Sequence, residues 1–341
     1  MEAISRSDIS DSVTSIKSFL ARCDHDDERK PKVAIIGHRG VGQNKVAQEP
    51  PGFELRPSVR ENTLLSFNMA ARDGADFVEF DVQVTKDGHP VIFHDDFIIF
   101  KEKESDTLAH KRIGDLMLEE FLGIGYQTDS QITERPLYRK NGDGSCSPWT
   151  VSADDALCTL KDAFEDVTDS VGFNIELKFD DSVILSHQEL KSSIDAILEV
   201  VNESSMGRKV YFSSFHPDAV TLIRKQQTVY PVFFLTNGIP DKHTDYRRGS
   251  LAAAMEVCLL GDLQGIVAEV KAILQHPEAV QNIKAAGLAL LTYGELNNVA
   301  DILHLQASTG VDGLIVDHVL EMVIESLKDN VQGNHQVVIE A

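Results

Sequence analysis

Eight short, nearly continuous apolar runs punctuate the chain, and a segment with helical spacing follows each of them. They read KVAIIGH, DFVEFDV, GFNIELK, KVYFSSF, PVFFLTN, LQGIVAEV, LALLTYG and VDGLIVD. Strands this apolar on both faces belong to a parallel sheet covered by helices, because a half-exposed strand would alternate with polar residues. The intervening segments, such as ENTLLSFNMAARDG, PEAVQNIKAAG and GELNNVADILHLQASTG, supply those helices. These three end at Gly74, Gly287 and Gly310, where a left-handed C-terminal cap favours glycine. Eight strands, seven crossovers and a last helix after Asp317 count to an α/β fold, a parallel (β/α)8 TIM barrel. An open doubly wound sheet would carry fewer strands and a G-x-G-x-x-G first turn, whereas the turn here is GHRGVGQNK.

Length alone, 341 residues, allows two small domains or one large barrel, and the strand count decides for the barrel. Two excursions interrupt the alternation. VQVTKDGHPVIFHDD folds back about Lys86-Asp87-Gly88, a hairpin turn signal. Residues 97–154, polar and Gly-rich in their second half, read as a small inserted segment over the C-terminal face. The expected organisation is a flexible arm over 1–31, the barrel over 32–330 and a tail over 331–341.

A net charge of -22 repels polyanions, so neither nucleic acid nor an anionic membrane is the expected partner. No apolar stretch approaches the ~20 residues a bilayer span needs, and no basic amphipathic helix offers an anchor, so no stable membrane insertion is expected. Cys23, Cys146, Cys158 and Cys258 are scattered without a C-x-x-C, which argues against a zinc knuckle or disulfide framework and for a reducing compartment. The N-terminal segment lacks the apolar core of a secretory signal and carries Glu2, Asp8 and Asp11; the cytoplasm is expected, with the plastid as the alternative.

The strand ends carry the chemistry in such barrels. Here they read His38-Arg39, Glu79-x-Asp81, Glu176-x-Lys178, Ser213-Ser214, Thr236-Asn237, Glu269, Tyr293 and Asp317. Glu79 and Asp81, two apart on one strand, share a face with Cβ atoms roughly 7 Å apart. Glu176 reaches the same height on the next barrel strand. Three converging carboxylates repel one another unless a cation lies between them, and oxygen-only ligation suits Mg²⁺ or Ca²⁺. The bland alternatives are solvated acids on a surface hairpin or a Glu-Lys pair.

Folding back about Asp87-Gly88 returns His94 to the neighbourhood of Asp81, and His38 stands at the mouth of the first strand, beside the second. Two imidazoles across a metal site suit an acid/base pair, although a lone strand-end histidine is more often structural. Arg39 and Lys178 beside a divalent ion form a phosphate pocket; the other reading is that they neutralise Glu79 or Glu176.

Taken together, these residues strongly resemble the glycerophosphodiester phosphodiesterase family. The "HRG…EN" opening appears as His38-Arg39-Gly40 and Glu61-Asn62, and the "E-x-D…HD" hairpin as Glu79, Asp81, His94 and Asp95. The "E-x-K" strand appears as Glu176 and Lys178, and "GVDG-x-x-x-D" as Gly310 to Asp317. The resemblance runs from about Val33 to Leu327, and GFNIELKFDD, FSSFHPDA and YPVFFLTNG look like its plant branch.

The resemblance implies a hydrolase dependent on a divalent metal, Mg²⁺ or Ca²⁺, that cleaves glycerophosphodiesters to glycerol 3-phosphate and a free alcohol. It implies metal ligation by Glu79, Asp81 and Glu176, proton transfer by His38 and His94, and phosphate binding by Arg39 and Lys178. Which histidine is acid and which is base stays open. Glu61 is expected to orient His38 or to bind glycerol. Tyr293 stands where many members carry Trp, so the aromatic wall against the substrate gains a phenol. Rival readings are a lysophospholipase D-type hydrolase, which should show an apolar groove by the pocket, and a non-catalytic barrel scaffold, which should lack one of the acids or histidines.

Overall fold

A computed structural model describes residues 18–20, 33–44, 58–103, 105, 107–125, 135–240 and 245–332. The eight expected strands form, as β1 (Ala34–His38), β2 (Phe77–Val84), β3 (Gly172–Leu177), β4 (Val210–Ser214), β5 (Val232–Thr236), β6 (Gly265–Glu269), β7 (Ala289–Tyr293) and β8 (Gly313–Val316). Neighbours pair in parallel throughout, and β8 pairs with β1, so the sheet closes into the expected barrel. Helices lie between the strands, and Gly74, Gly287 and Gly310 all take positive φ at their ends. Among the described residues no helix is long and apolar enough to cross a membrane.

Strand alternation sorts each run between two cores. Ile35, Val78, Phe80, Ile175 and Phe212 belong to the outer core with the helix faces, while Ile36, Phe77, Tyr211, Phe233, Val267, Leu291 and Ile315 fill the barrel. Inside, a large residue on one strand stands beside a glycine on the next: Phe77 beside Gly172, Phe233 beside Gly265, Leu291 beside Gly313. A Cβ at Gly172 would sit 2.4 Å from the Phe77 ring. Gly172→Ala is therefore expected to lower stability by about 1–3 kcal/mol through overpacking, read as a lower midpoint in thermal or urea unfolding.

Most of the arm expected over 1–31, and the tail beyond Gln332, lie outside the described residues. The part of the arm that is described, residues 18–20, is docked. Phe19 packs on Phe77 and Tyr211 with ring centroids 5.9 and 6.4 Å away, Leu20 is 3% exposed, and the Lys209 ammonium donates to the Phe19 carbonyl at 2.8 Å. Two apolar residues in a polar segment are enough to cover the N-terminal mouth of the barrel.

The hairpin forms as expected, with Pro90–Ile92 antiparallel to the end of β2 and Gly88 in the left-handed region at its turn. The inserted segment is a second sheet, four antiparallel strands in the order Leu108–Lys111, Ile98–Lys101, Leu137–Lys140, Cys146–Pro148. It has its own core around Phe93, Ile98, Phe100, Phe121, Leu137 and Trp149. From its third strand Arg139 reaches Glu61, in the segment between the first two barrel strands.

Candidate active site

Register brings the charged residues together. Across parallel pairs, His38 stands beside Glu79, and Asp81 beside Glu176. Alternation turns Glu79, Asp81 and Glu176 into the barrel mouth, where one oxygen from each lies within 4.8 Å of the others. Their exposures are 2%, 1% and 9%, which excludes solvated surface acids. Fixed partners offset only part of this cost. Glu79 Oε2 accepts from the Arg39 amide at 3.0 Å, and Asp81 Oδ2 accepts from Asn62 Nδ2 at 2.8 Å. Lys178 Nζ lies 2.9 Å from Glu176 Oε1 and 3.6 Å from Asp81 Oδ1.

Among the described residues, buried Glu79 Oε1 has no hydrogen-bond partner. An orphaned carboxylate oxygen facing two further carboxylates is what a hard divalent cation would complete, so the residues fit the group the sequence suggests. In the absence of such an ion, burial and the neighbouring Asp81 push the Glu79 carboxyl up to about 8. Burial also acts on Asp81, but His94, Lys178 and Arg39 outweigh it and hold that carboxyl well below the usual range. The triad thus carries a proton on one member at neutral pH.

Each histidine is backed by a carboxylate. His38 Nδ1 lies 2.9 Å from Asp317 Oδ1, across the closing seam of the barrel, and His94 Nδ1 lies 2.7 Å from Asp95 Oδ1. The hairpin holds His94 in place, since the Phe93 amide donates to the Asp81 carbonyl at 2.9 Å. Burial would lower the His38 pKa; the hydrogen bond to Asp317 reverses that and raises it. Among the described residues no hydrogen bond is made by the far nitrogen of either ring.

Arg39 adopts a left-handed backbone (φ 50), tied by its amide to Glu79 and by its carbonyl to the Asn62 amide and the Ser66 hydroxyl. Such strain in a non-glycine residue persists only where its surroundings fix it. Its Nη1 lies 2.7 Å from Glu61 Oε1 and its Nε 3.5 Å from Asp81 Oδ2.

The carboxylate beside His38 is that of Asp317, and the Glu61 carboxylate, 1% exposed, pairs with Arg39 and Arg139. The Tyr293 phenol donates to Asn237 Oδ1 at 2.7 Å, and its ring meets Phe215 edge-on.

A cleft of about 800 Å³ opens between the barrel rim and the inserted sheet, lined among others by His94, Glu176, Lys178, Phe215, Arg139 and Arg248. Lys178 pairs with Glu176 and Asp81, which is the neutralising reading for Glu176, and it also lines this cleft. Sequence reasoning missed the orienting parts of Asp317 and Asp95, although both stand inside the motifs, and it missed Arg139 entirely.

The model of the glycerophosphoryl diester phosphodiesterase family matches residues 38–321. An Arabidopsis thaliana chloroplastic glycerophosphodiester phosphodiesterase, GDPD1, is 48% identical over 300 residues, covering 87% of this chain and 81% of its own length. A second from the same plant, GDPD3, is 50% identical over 292 residues, covering 86% and 77%. A Silicibacter pomeroyi protein, solved by crystallography as a candidate glycerophosphoryl diester phosphodiesterase, superposes with a TM-score of 0.67 at 20% identity, covering 92% of this chain and 97% of that one, a likeness of fold.

Proposed function

The chain belongs to the glycerophosphoryl diester phosphodiesterase family, and from that premise we propose that it hydrolyses glycerophosphodiesters to sn-glycerol 3-phosphate and a free alcohol through the residues gathered at the barrel mouth. The observation that carries the reading is the buried triad of Glu79, Asp81 and Glu176 with an oxygen left unpartnered and a carboxylate-backed histidine near it on either side.

Glu79, Asp81 and Glu176 would hold a divalent cation, Mg²⁺ or Ca²⁺. Bound there, the ion would supply positive charge against a non-bridging phosphate oxygen. Arg39 and Lys178 share the remaining phosphate charge, Arg39 as a planar fork and Lys178 as a point charge. His38, steered by Asp317, takes the proton from the attacking oxygen. His94 lines the cleft through which the alcohol departs, so it gives its proton to that alcohol. Tyr293, anchored on Asn237, is the aromatic wall beside the substrate. Residues 32–330 make up the catalytic domain, with 97–154 as its insertion. Of the two compartments expected, the chloroplastic relative supports the plastid, which a fluorescent fusion would test.

The purified protein, freed of metal and then given Mg²⁺ or Ca²⁺ in turn, should release glycerol 3-phosphate from glycerophosphocholine, glycerophosphoethanolamine or glycerophosphoglycerol. Release from lysophospholipids alone would overturn the substrate class. Undiminished turnover with excess chelator would overturn the role of the triad.

Metal uptake should also carry a pH signature. Burial and Asp81 hold the Glu79 carboxyl up to about 8, and only the ionised form ligates. Below that pH the ion must displace a proton, so affinity is expected to rise roughly tenfold per pH unit and to level off above it. Calorimetry at pH 7 in buffers of different ionisation enthalpy should show close to one proton released per ion. No release would mean that Glu79 is already ionised.

A further inference from the structure

Arg139 lies on the third strand of the inserted sheet's sequence, far along the chain from every motif of the rim, yet it touches three parts of the site. Its Nη2 lies 2.9 Å from Glu61 Oε1 and its Nη1 3.2 Å from Oε2, a two-point pairing. Nη1 also donates to the Asn44 carbonyl at 2.6 Å, and Nε stands 3.5 Å from Asp95 Oδ2. The guanidinium lies over the Trp149 ring, 4.3 Å from its centroid, and the indole is held in turn by Asn44 Oδ1 at 3.2 Å and by Arg60 at 5.0 Å. A fork that is both stacked and paired at two points has little rotamer freedom left.

Behind each acid that Arg139 meets stands a group of the site. Glu61 holds Arg39 Nη1 at 2.7 Å, and Asp95 holds His94 Nδ1 at 2.7 Å. With only one arginine, the buried Glu61 carboxylate would close on Arg39 and take up its charge. With two, Arg39 keeps part of its fork for another anion.

We propose that Arg139 is a positioning residue for this hydrolysis, through which the inserted sheet sets both the phosphate-binding fork of Arg39, by way of Glu61, and the ring of His94, by way of Asp95. The insertion is then part of the catalytic machinery and more than a cover. This rests on the roles given above to Arg39 and His94.

The test uses the full chain loaded with Mg²⁺ and glycerophosphocholine as substrate, comparing wild type, Arg139→Ala, Arg139→Lys, Glu61→Gln and the double variant Glu61→Gln/Arg139→Ala. Arg139→Ala is expected to lower kcat/KM by about 10²-fold, the scale of a misplaced reacting group. The loss should be split between a raised KM from the Arg39 branch and a lowered kcat from the His94 branch. Arg139→Lys keeps the charge but not the fork and should recover only part. In the Glu61→Gln background the KM effect should largely vanish, since neighbours in one network are not additive. Trp149, the only tryptophan of the chain, reports loss of the stack by its emission.

A lower melting temperature with unchanged KM and kcat would reduce Arg139 to a structural residue and overturn the proposal, as would full additivity with Glu61→Gln. Should Arg139→Ala not fold, wild-type kinetics in Arg139→Lys would do the same. A wild-type protein that hydrolyses no glycerophosphodiester with any ion would overturn the reading of the site and the proposal with it, a result distinct from an active wild type beside an unaffected variant.

Discussion

Glu79→Gln is expected to abolish hydrolysis, by at least ~10³-fold, while leaving the metal-free protein no less stable than wild type. The two halves of this expectation have one cause. Burial and Asp81 already hold the Glu79 carboxyl up to about 8, so at neutral pH the wild-type side chain without an ion is a neutral acid. Glutamine has its shape and its neutrality, and it still offers an oxygen to the Arg39 amide, 3.0 Å from Glu79 Oε2. What it cannot do is lose a proton to meet a cation. The same Mg²⁺ addition should therefore raise the melting temperature of wild type, by the equivalent of about 2.7 kcal/mol at a hundredfold excess over Kd, and leave the variant unmoved. Alanine at Glu176 is a less clean probe, because it strips Lys178 of its nearest partner, 2.9 Å away. A Glu79→Gln protein that keeps wild-type turnover, or a melting curve that responds to Mg²⁺ as before, would remove the triad from the reaction.

Period-two alternation is why so much of this site could be seen in the residues alone. Once β2 is a strand of a closed barrel, Glu79 and Asp81 must face inward together, and the parallel neighbour β3 must present Glu176 beside Asp81. The turn at Gly88 likewise fixes how far back the chain returns, which is how His94 could be placed near Asp81. Pairings that cross the fold without a repeat to guide them were not legible. Asp317 meets His38 only because β8 closes on β1, so its orienting part depends on the seam and not on any local spacing. Arg139 meets Glu61 because four short antiparallel strands pair as they do, and those strands carry little periodic signal. The pairing of Glu61 with Arg139 was hidden for the same reason. Phe19 and Leu20 were passed over because a polar context outweighed two apolar residues, although two suffice to dock a turn of helix on the barrel base.

His94→Ala separates proton transfer from metal binding. The variant should fold and bind the divalent ion yet turn over glycerophosphocholine at least ~100-fold more slowly, the lower end of what one positioned acid contributes. Folding should survive because the ring is only half-buried, with its side chain 32% exposed, and its partner Asp95 stays within reach of Arg139 at 3.5 Å. Ion binding should survive because no ring atom of His94 is among the three convergent oxygens. The diagnostic measurement changes the leaving group. An alkyl alcohol departs poorly without a proton, whereas a nitrophenol departs readily as its anion and needs no acid. If His94 donates that proton, the defect of His94→Ala should shrink toward wild type on a nitrophenyl diester, and that of His38→Ala should persist, because the attacking oxygen must still be deprotonated. An equal defect for His94→Ala on both substrates would exchange the two histidines' roles, and a near-normal rate on glycerophosphocholine would remove His94 from the chemistry. Asp95→Asn adds a graded control: it keeps the ring and its neighbours but loosens the tether 2.7 Å behind Nδ1, so its loss should follow the same leaving-group trend at smaller amplitude.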